Sequence, residues 1–369
     1  EIHERLVGSE MCIRDRSGGG VESVVMNYYR AIDRNAVQFD FIIDSDSTIV
    51  PKQEILRLGG RVFMVPPCRY LVSYRKELRE LIEKERWSIL HSHINALSVF
   101  PLQIAKAMKV PVRIAHSHST AGKGEPVRNI AKYCLRIFSN KYPTYKMACS
   151  GFAGEWLFGS HAEFEILYNA IELNKFAYNA PKRIEVREEL GLSSDQFVLG
   201  HVGRFMTQKN HGFIVDVFAS LVKVRDNSVL VFVGDGKLRS SIEDMVAERG
   251  LKDKVIFLGQ RWDVERLYQA FDVFLLPSLY EGLGLTAIEA QMAGLPCYLS
   301  DRVPREADVT KSSRFLPIDN LGIWSSALAS APLKTRNVVN YSDFSSYDLA
   351  SSADRLLRTY LKLGVEATL

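Results

Sequence analysis

Two loops in the second half of the chain carry residues whose types and spacing suit chemistry. Gly203-Arg204-Phe205-Met206-Thr207-Gln208-Lys209-Asn210 follows the apolar run Val198–Val202 and precedes a helical pattern. Arg204 and Lys209 therefore stand on a strand-to-helix loop. Two cations there can hold a diphosphate and neutralise charge that develops as a bond to it breaks. On spacing alone, a solvated basic turn is the plainer alternative. The second loop, Glu281-Gly282-Leu283-Gly284-Leu285, follows Val273–Leu276 and opens a helix. Its glycines expose backbone N–H groups at a helix N-terminus, where anions bind. Glu281 precedes that helix, and Glu289 is expected about two turns inside it. A carboxylate accepts hydrogen bonds from two vicinal hydroxyls, which suits a sugar or a ribose. Glu289 is flanked by Ala287, Ile288, Ala290 and Met292 and so needs a partner. The bland alternative is a pair of ordinary helix glutamates, the first favoured by the helix dipole.

Four histidines end two strands of the first half: His91 and His93, then His116 and His118. Such a group could bind a metal. The members of each pair are expected on opposite faces of their strand, and no Cys or Asp cluster supports them. No metal is therefore assigned, and a hydrogen-bonding or buried structural role is expected. Val233-Gly234-Asp235-Gly236 reads as a sharp strand-to-helix turn. The amides of Gly18, Gly19 and Gly20 could meet a phosphate. No G-x-S-x-G elbow, Walker A sequence or well-placed G-x-G-x-x-G is found, which argues against a serine hydrolase, a P-loop enzyme and a dehydrogenase.

The elements that must position these residues alternate strand and helix. Expected strands in the first half are 39–44, 61–65, 89–93, 112–116, 147–150 and 165–168, and in the second 198–202, 229–233, 255–258, 273–276 and 297–299. Amphipathic helices separate them, which predicts two doubly wound parallel sheets facing a cleft. The polar stretch Glu172 to Pro181 reads as a linker. Residues 17–171 are expected to form an N-terminal, acceptor-side Rossmann-like domain and 172–345 a donor-binding one. A last helix within 346–369 is expected to cross back to the first. Residues 1–16 contain no apolar run, and VGSEMCIRDR resembles translated sequencing-adaptor DNA. The expectation is that a foreign segment has replaced the first strand and left the glycine loop unsupported.

The chain has 369 residues, 47% hydrophobic and 24% charged, and a formal net charge of +4. The length accommodates two cores, and the charge is too small to argue for nucleic acid. Five cysteines without a C-x-x-C pair argue against a disulfide framework or zinc ribbon and fit a reducing cytoplasm. Neither a signal peptide nor an apolar run long enough to span a membrane is seen.

Taken together, GRFMTQKN at 203–210, FVGDG at 232–236 and PSLYEGLGLTAIEAQMAGLP at 277–296 resemble glycosyltransferase family 4. VRIAHSHS at 112–119 and LYNAIEL at 167–173 resemble its N-domain strand end and its interdomain crossing. The resemblance spans about residues 17–365 and is strongest in the C-terminal half. It implies a GT-B fold, retention of anomeric configuration, no cofactor and no obligatory metal. It further implies that Arg204 and Lys209, with Gly203 in the same loop, bind the donor diphosphate. Glu289 would bind the ribose. Glu281, with the amides of Gly282, Leu283, Gly284 and Leu285, would hold the transferred sugar and phosphate. His118 would touch the donor sugar, with His116 as the alternative, and Gly19 and Gly20 would approach the phosphate or acceptor. One departure is the crossing itself. The family commonly reads Asn-Gly-Val/Ile-Asp there, whereas Ala170, Ile171 and Glu172 follow Asn169.

The resemblance implies a nucleotide-sugar donor, most often a UDP-sugar, and a glycan or polyprenyl-diphosphate-linked acceptor in bacterial capsule or exopolysaccharide synthesis. Arg128, Lys132 and Arg136 recur every four residues on one expected helix, with Lys123 and Lys141 nearby. This basic stripe could meet an anionic membrane face, giving a cytoplasmic protein with peripheral contact at the inner leaflet; a solvated helix face is the alternative. Two other activities fit the same motifs: a sugar-nucleotide epimerase and a catalytically inactive sugar-nucleotide-binding subunit.

Overall fold

A computed structural model describes residues 7–10, 20–47, 50–118, 126–333 and 336–366; of 7–10, Gly20 and 126–129 it describes the backbone alone. The described chain divides into two compact units. One comprises residues up to Ile171 together with those from Ser346 onward, and the other is Glu172–Ser345.

The first unit holds a seven-stranded parallel sheet. Its strands are β1 (Val7–Glu10), β2 (Phe39–Asp44), β3 (Arg61–Val65), β4 (Ile89–Ser92), β5 (Val112–Ser117), β6 (Tyr145–Ala148) and β7 (Glu165–Ile166). The order is β3-β2-β1-β4-β5-β6-β7. Expectation fails at β1. Val7 to Glu10 pairs in parallel with Phe39–Ile42 on one side and Ile89–Ser92 on the other. The place expected to lack a strand is filled because ladder hydrogen bonds use backbone groups, which two open neighbouring strands offer to any extended segment. Gly19, Gly18 and Ser17 lie outside the described residues, while Gly20 opens the helix Gly20–Ala31. In β2 all six residues are buried, as a central parallel strand requires. Its Asp40 is tolerated there because the Arg61 guanidinium and Trp87 Nε1 (2.8 Å) donate to it.

The second unit holds β8 (Phe197–Val202), β9 (Ser228–Val233), β10 (Val255–Phe257), β11 (Val273–Leu276), β12 (Cys297–Ser300) and β13 (Arg314–Leu316). The parallel order β10-β9-β8-β11-β12-β13 reverses direction between β8 and β11. At such a switch point the loops leaving the strands diverge to opposite faces, and a crevice opens at the carboxyl ends. Val198, Leu199, Val231, Phe232, Phe274 and Leu275 build its interior. Gly200 lies where a Cβ would fall 2.1 Å from the Phe271 ring.

The stretch expected to be a linker is structured instead. It contains the helix Leu173–Phe176 and the start of another, Ala180–Glu189, capped by Asn179, whose side chain accepts from Lys182 N at 3.0 Å. Arg183 Nη2 (2.6 Å) and Arg187 Nη1 (3.3 Å) both reach the buried Asp272 carboxylate, which also accepts from Val198 N at 2.8 Å. The stretch thus belongs to the second unit. The final helix, Leu349–Glu366, packs on the first. Its Leu356 and Tyr360 are buried, and the Tyr360 ring meets Phe39 edge-on with centroids 5.8 Å apart. At its start, Ile171 N donates to Tyr347 O (2.9 Å) and Leu349 N to Ile171 O (3.0 Å).

Candidate active site

The switch point of the second sheet brings the two loops together. The loop after β8 runs through Gly203 into the 3-10 turn Thr207–Lys209, and the loop after β11 runs through Ser278 to the helix Leu285–Met292. Leu279 N donates to Gln208 O (2.8 Å), Gln208 Nε2 to Tyr280 O (2.9 Å) and Asn210 Nδ2 to Pro277 O (3.3 Å). Their side chains then converge on one carboxylate. Lys209 Nζ lies 2.6 Å from Glu281 Oε1, Ser278 Oγ donates to the same oxygen at 2.6 Å, and Gln208 Nε2 donates to Oε2 at 3.2 Å. Glu281 is buried, and this clamp offsets its desolvation.

Glycines make room for the lysine. A Cβ on Gly203 would fall 2.9 Å from His201 Nε2 and 3.3 Å from the Lys209 stem. A Cβ on Gly234, whose φ is +134°, would fall 2.2 Å from Gly203 O. The Gly234-Asp235-Gly236 turn thus braces the cationic loop from behind, and Phe205 N donates to Asp235 O at 3.0 Å. Arg204 is half-buried on the same loop. Beneath the loop, His201 and His211 meet edge-on, and burial keeps both neutral.

Glu289 lies four residues into its helix, about one turn rather than two, because the helix begins only after Gly284 (φ +90°). The partner its apolar setting demands is Tyr268, whose hydroxyl donates to Oε2 at 2.7 Å. Burial pushes the Glu289 carboxyl up to about 7, against the lowering effects of the Tyr268 hydrogen bond and of Lys209. This group can therefore change charge near neutral pH.

In the first unit all four histidines come together. The His91 and His93 rings stack with centroids 4.0 Å apart, and those of His116 and His118 at 4.1 Å. The expectation of opposite faces is corrected here, since residues two apart on a strand share a face. Across the β4–β5 pair, His91 Nε2 lies 3.1 Å from His116 Nδ1 and His93 Nδ1 lies 2.9 Å from His118 Nε2. His91 Nδ1 is hydrogen-bonded to Tyr360 Oη at 2.6 Å. His118 N donates to Asn95 Oδ1 at 2.6 Å, and its Nδ1 lies 3.3 Å from Asn169 Oδ1. His116 lies within β5, whereas His118 is the first residue beyond its end. Burial lowers the proton affinity of all four, to about 3 for His91 and about 4 for His118.

The first half of the chain, residues 18–175, matches the family model described as Glycosyltransferase Family 4, and residues 182–314 match Glycosyl transferases group 1. EpsF of Bacillus subtilis (strain 168), placed by its name among the glycosyltransferases, is 36% identical over 332 residues, 85% of this chain and 84% of that protein. The chain is a glycosyltransferase of family 4. The enzyme is also 28% identical over 299 residues, 76% of each chain, to the Escherichia coli UDP-Gal:alpha-D-GlcNAc-diphosphoundecaprenol alpha-1,3-galactosyltransferase. Its GT-B fold is shared with Anabaena HepE, solved with UDP and glucose, at a TM-score of 0.74 and 15% identity over 98% of both chains. Such relatives place this glycosyltransferase in polysaccharide or glycoconjugate biosynthesis.

Within the glycosyltransferase, Gly203, Lys209, Glu281 and the Gly282-Leu283-Gly284-Leu285 helix mouth form one neighbourhood of the second unit, with Arg204 on the same loop and Glu289 one turn further in. Sequence reading missed Gln208, Ser278 and Tyr268, which hold the two glutamates. No spacing rule marks them, though Gln208 and Ser278 lie inside the quoted motifs. Of the basic stripe, Lys123 and the Arg128 side chain lie outside the described residues. The helix Pro126–Arg136 and the turn after it expose Ile130 (65%), Tyr133 (51%) and Ile137 (78%). Among the described residues no helix is long and apolar enough to cross a membrane.

Proposed function

We propose that this enzyme transfers a sugar, with retention, from a UDP-sugar to a lipid-linked or glycan acceptor in cell-surface polysaccharide synthesis. The observation that carries the reading is the Lys209–Glu281 pair, 2.6 Å apart at the switch point of the second sheet. A lysine held there on a braced loop is ready for the donor diphosphate, with Arg204 as the second cation. Glu281 and the following helix mouth take the sugar and phosphate, and Glu289 takes the ribose hydroxyls. The resemblance adds His118 as a contact to the transferred sugar, with His116 as the alternative, and Gly19 and Gly20 as the glycine loop. The UDP donor is supported by the E. coli relative named for UDP-Gal and by the HepE complexes with UDP and UDP-glucose. In the reaction the bond from the anomeric carbon to the diphosphate oxygen breaks. A bond to the acceptor oxygen forms on the same face, and the hydroxyl proton passes to the departing phosphate. Lys209 and Arg204 stabilise the charge that phosphate gains.

The acceptor reading rests on the diphosphoundecaprenol named in that relative and on the exposed apolar and basic helix Pro126–Arg136. That helix would lie on an anionic leaflet. The test is UDP-sugar binding by calorimetry. Lys209→Ala and Glu289→Ala are each expected to weaken binding at least about tenfold, the scale of one lost hydrogen bond to a charged group. Unchanged binding in both defeats the assignment. An NMR assay with UDP-sugar alone separates transfer from epimerisation, since only an epimerase converts the donor without acceptor.

A further inference from the structure

Transfer as proposed makes no use of His91 or His93, and the geometry of the histidine cluster suits another ligand. We propose that His91, His93 and His116 form a binding site for one divalent transition-metal ion of the zinc class. His118 supports His93 from outside. The ligand atoms of the three residues lie within 4.8 Å of one another. Tetrahedral zinc at about 2.0–2.1 Å from imidazole nitrogen separates its ligands by about 3.4 Å, so ring rotations of about an ångström close the set without moving backbone.

Two further observations point to an ion rather than to packing alone. His116 Nε2 is buried without a hydrogen-bond partner. Such an orphan is costly unless something fills the position. The outer nitrogen of His91 is held by Tyr360 Oη at 2.6 Å, the kind of second contact that fixes a ligating imidazole's tautomer and aim. Three protein ligands leave one coordination position for water. The ion would pin β4 to β5 and, through Tyr360, to the final helix. This inference does not depend on the donor or acceptor.

The test uses the full chain stripped with chelator and titrated with Co2+ as a zinc surrogate. One equivalent is expected, with visible ligand-field bands of a low-coordinate site. His91→Gln and His116→Gln should each weaken it at least tenfold, while His161→Ala, at an exposed histidine, should leave it unchanged. Both variants are checked for folding by melting in EDTA. X-ray absorption on the zinc-loaded wild type gives a readout that needs no variant, with three imidazoles expected in the inner shell. No saturable equivalent, equal affinity in both variants, or an inner shell of oxygen alone overturns the proposal.

Discussion

If Glu289 holds the ribose as proposed, donor binding becomes a titration. Its carboxyl is pushed up to about 7 by burial and, more weakly, by Glu265, while Tyr268 and Lys209 pull the other way. If only the carboxylate accepts both ribose hydroxyls, donor affinity follows its ionised fraction. Between about pH 8 and about pH 5.5 that fraction falls about thirtyfold, or about 2 kcal/mol at 1.36 kcal/mol per unit. The diphosphate diester of a UDP-sugar carries no proton in this window, so the ligand does not confound the result. The stability sign follows the same proton. A carboxyl raised in the folded state contributes stability that is fully present below its ordinary value and lost as pH rises through about 7. Calorimetric titrations of a UDP-sugar at stepped pH should therefore weaken as pH falls, with a slope of about one proton. Glu289→Gln should bind more weakly at about pH 8 and show no slope, since an amide does not titrate. Tyr268→Phe removes the hydrogen bond that favours the anion and should shift the midpoint upward. A wild-type curve as flat as that of Glu289→Gln refutes the reasoning.

Asp272→Asn should strip the buried Arg183 and Arg187 of their counter-charge and cost about 3–5 kcal/mol in urea unfolding; a loss under about 1 kcal/mol contradicts the ion-pair account. Gly200→Ala should cost about 1–3 kcal/mol or more, because its methyl would fall 2.1 Å from the Phe271 ring; an unchanged melting temperature would disprove that clash. Ile130→Glu combined with Ile137→Glu should lower sedimentation with phosphatidylglycerol vesicles about tenfold while leaving UDP-sugar binding intact, and undiminished sedimentation removes this helix from the membrane reading.

Much of the fold can be read from the sequence because buried parallel strands are written as short apolar runs. Phe39–Asp44, Arg61–Val65 and Val273–Leu276 fall where the pattern puts them. β1 is illegible for the opposite reason: its place is set by the strands on either side, not by its own residues. β13 and the helix Leu321–Ala329 escape the pattern too, the first because three residues, Arg314–Leu316, are too few for a period. At the site, Lys209, Glu281 and Glu289 are legible because glycines and charges sit beside apolar runs. Tyr268 is not, since its contact with Glu289 spans 21 residues and depends on two helices meeting. The histidine cluster shows how a misjudged period changes a chemical conclusion: placing i and i+2 on one face turns two unrelated pairs into four rings around a single hollow.

The return of Leu349–Glu366 to the first unit has a bearing on synthesis. That unit draws its core from both ends of the described chain, with Tyr360 closing over Phe39 and His91. A nascent chain emerging N-terminus first cannot seal this domain until almost its last turn of helix appears. The contiguous Glu172–Ser345 unit can meanwhile collapse by itself. Of the two units, the one begun earlier is thus closed later. Until then it presents an open apolar seam, where a truncated product or a stalled ribosome would leave it exposed to aggregation.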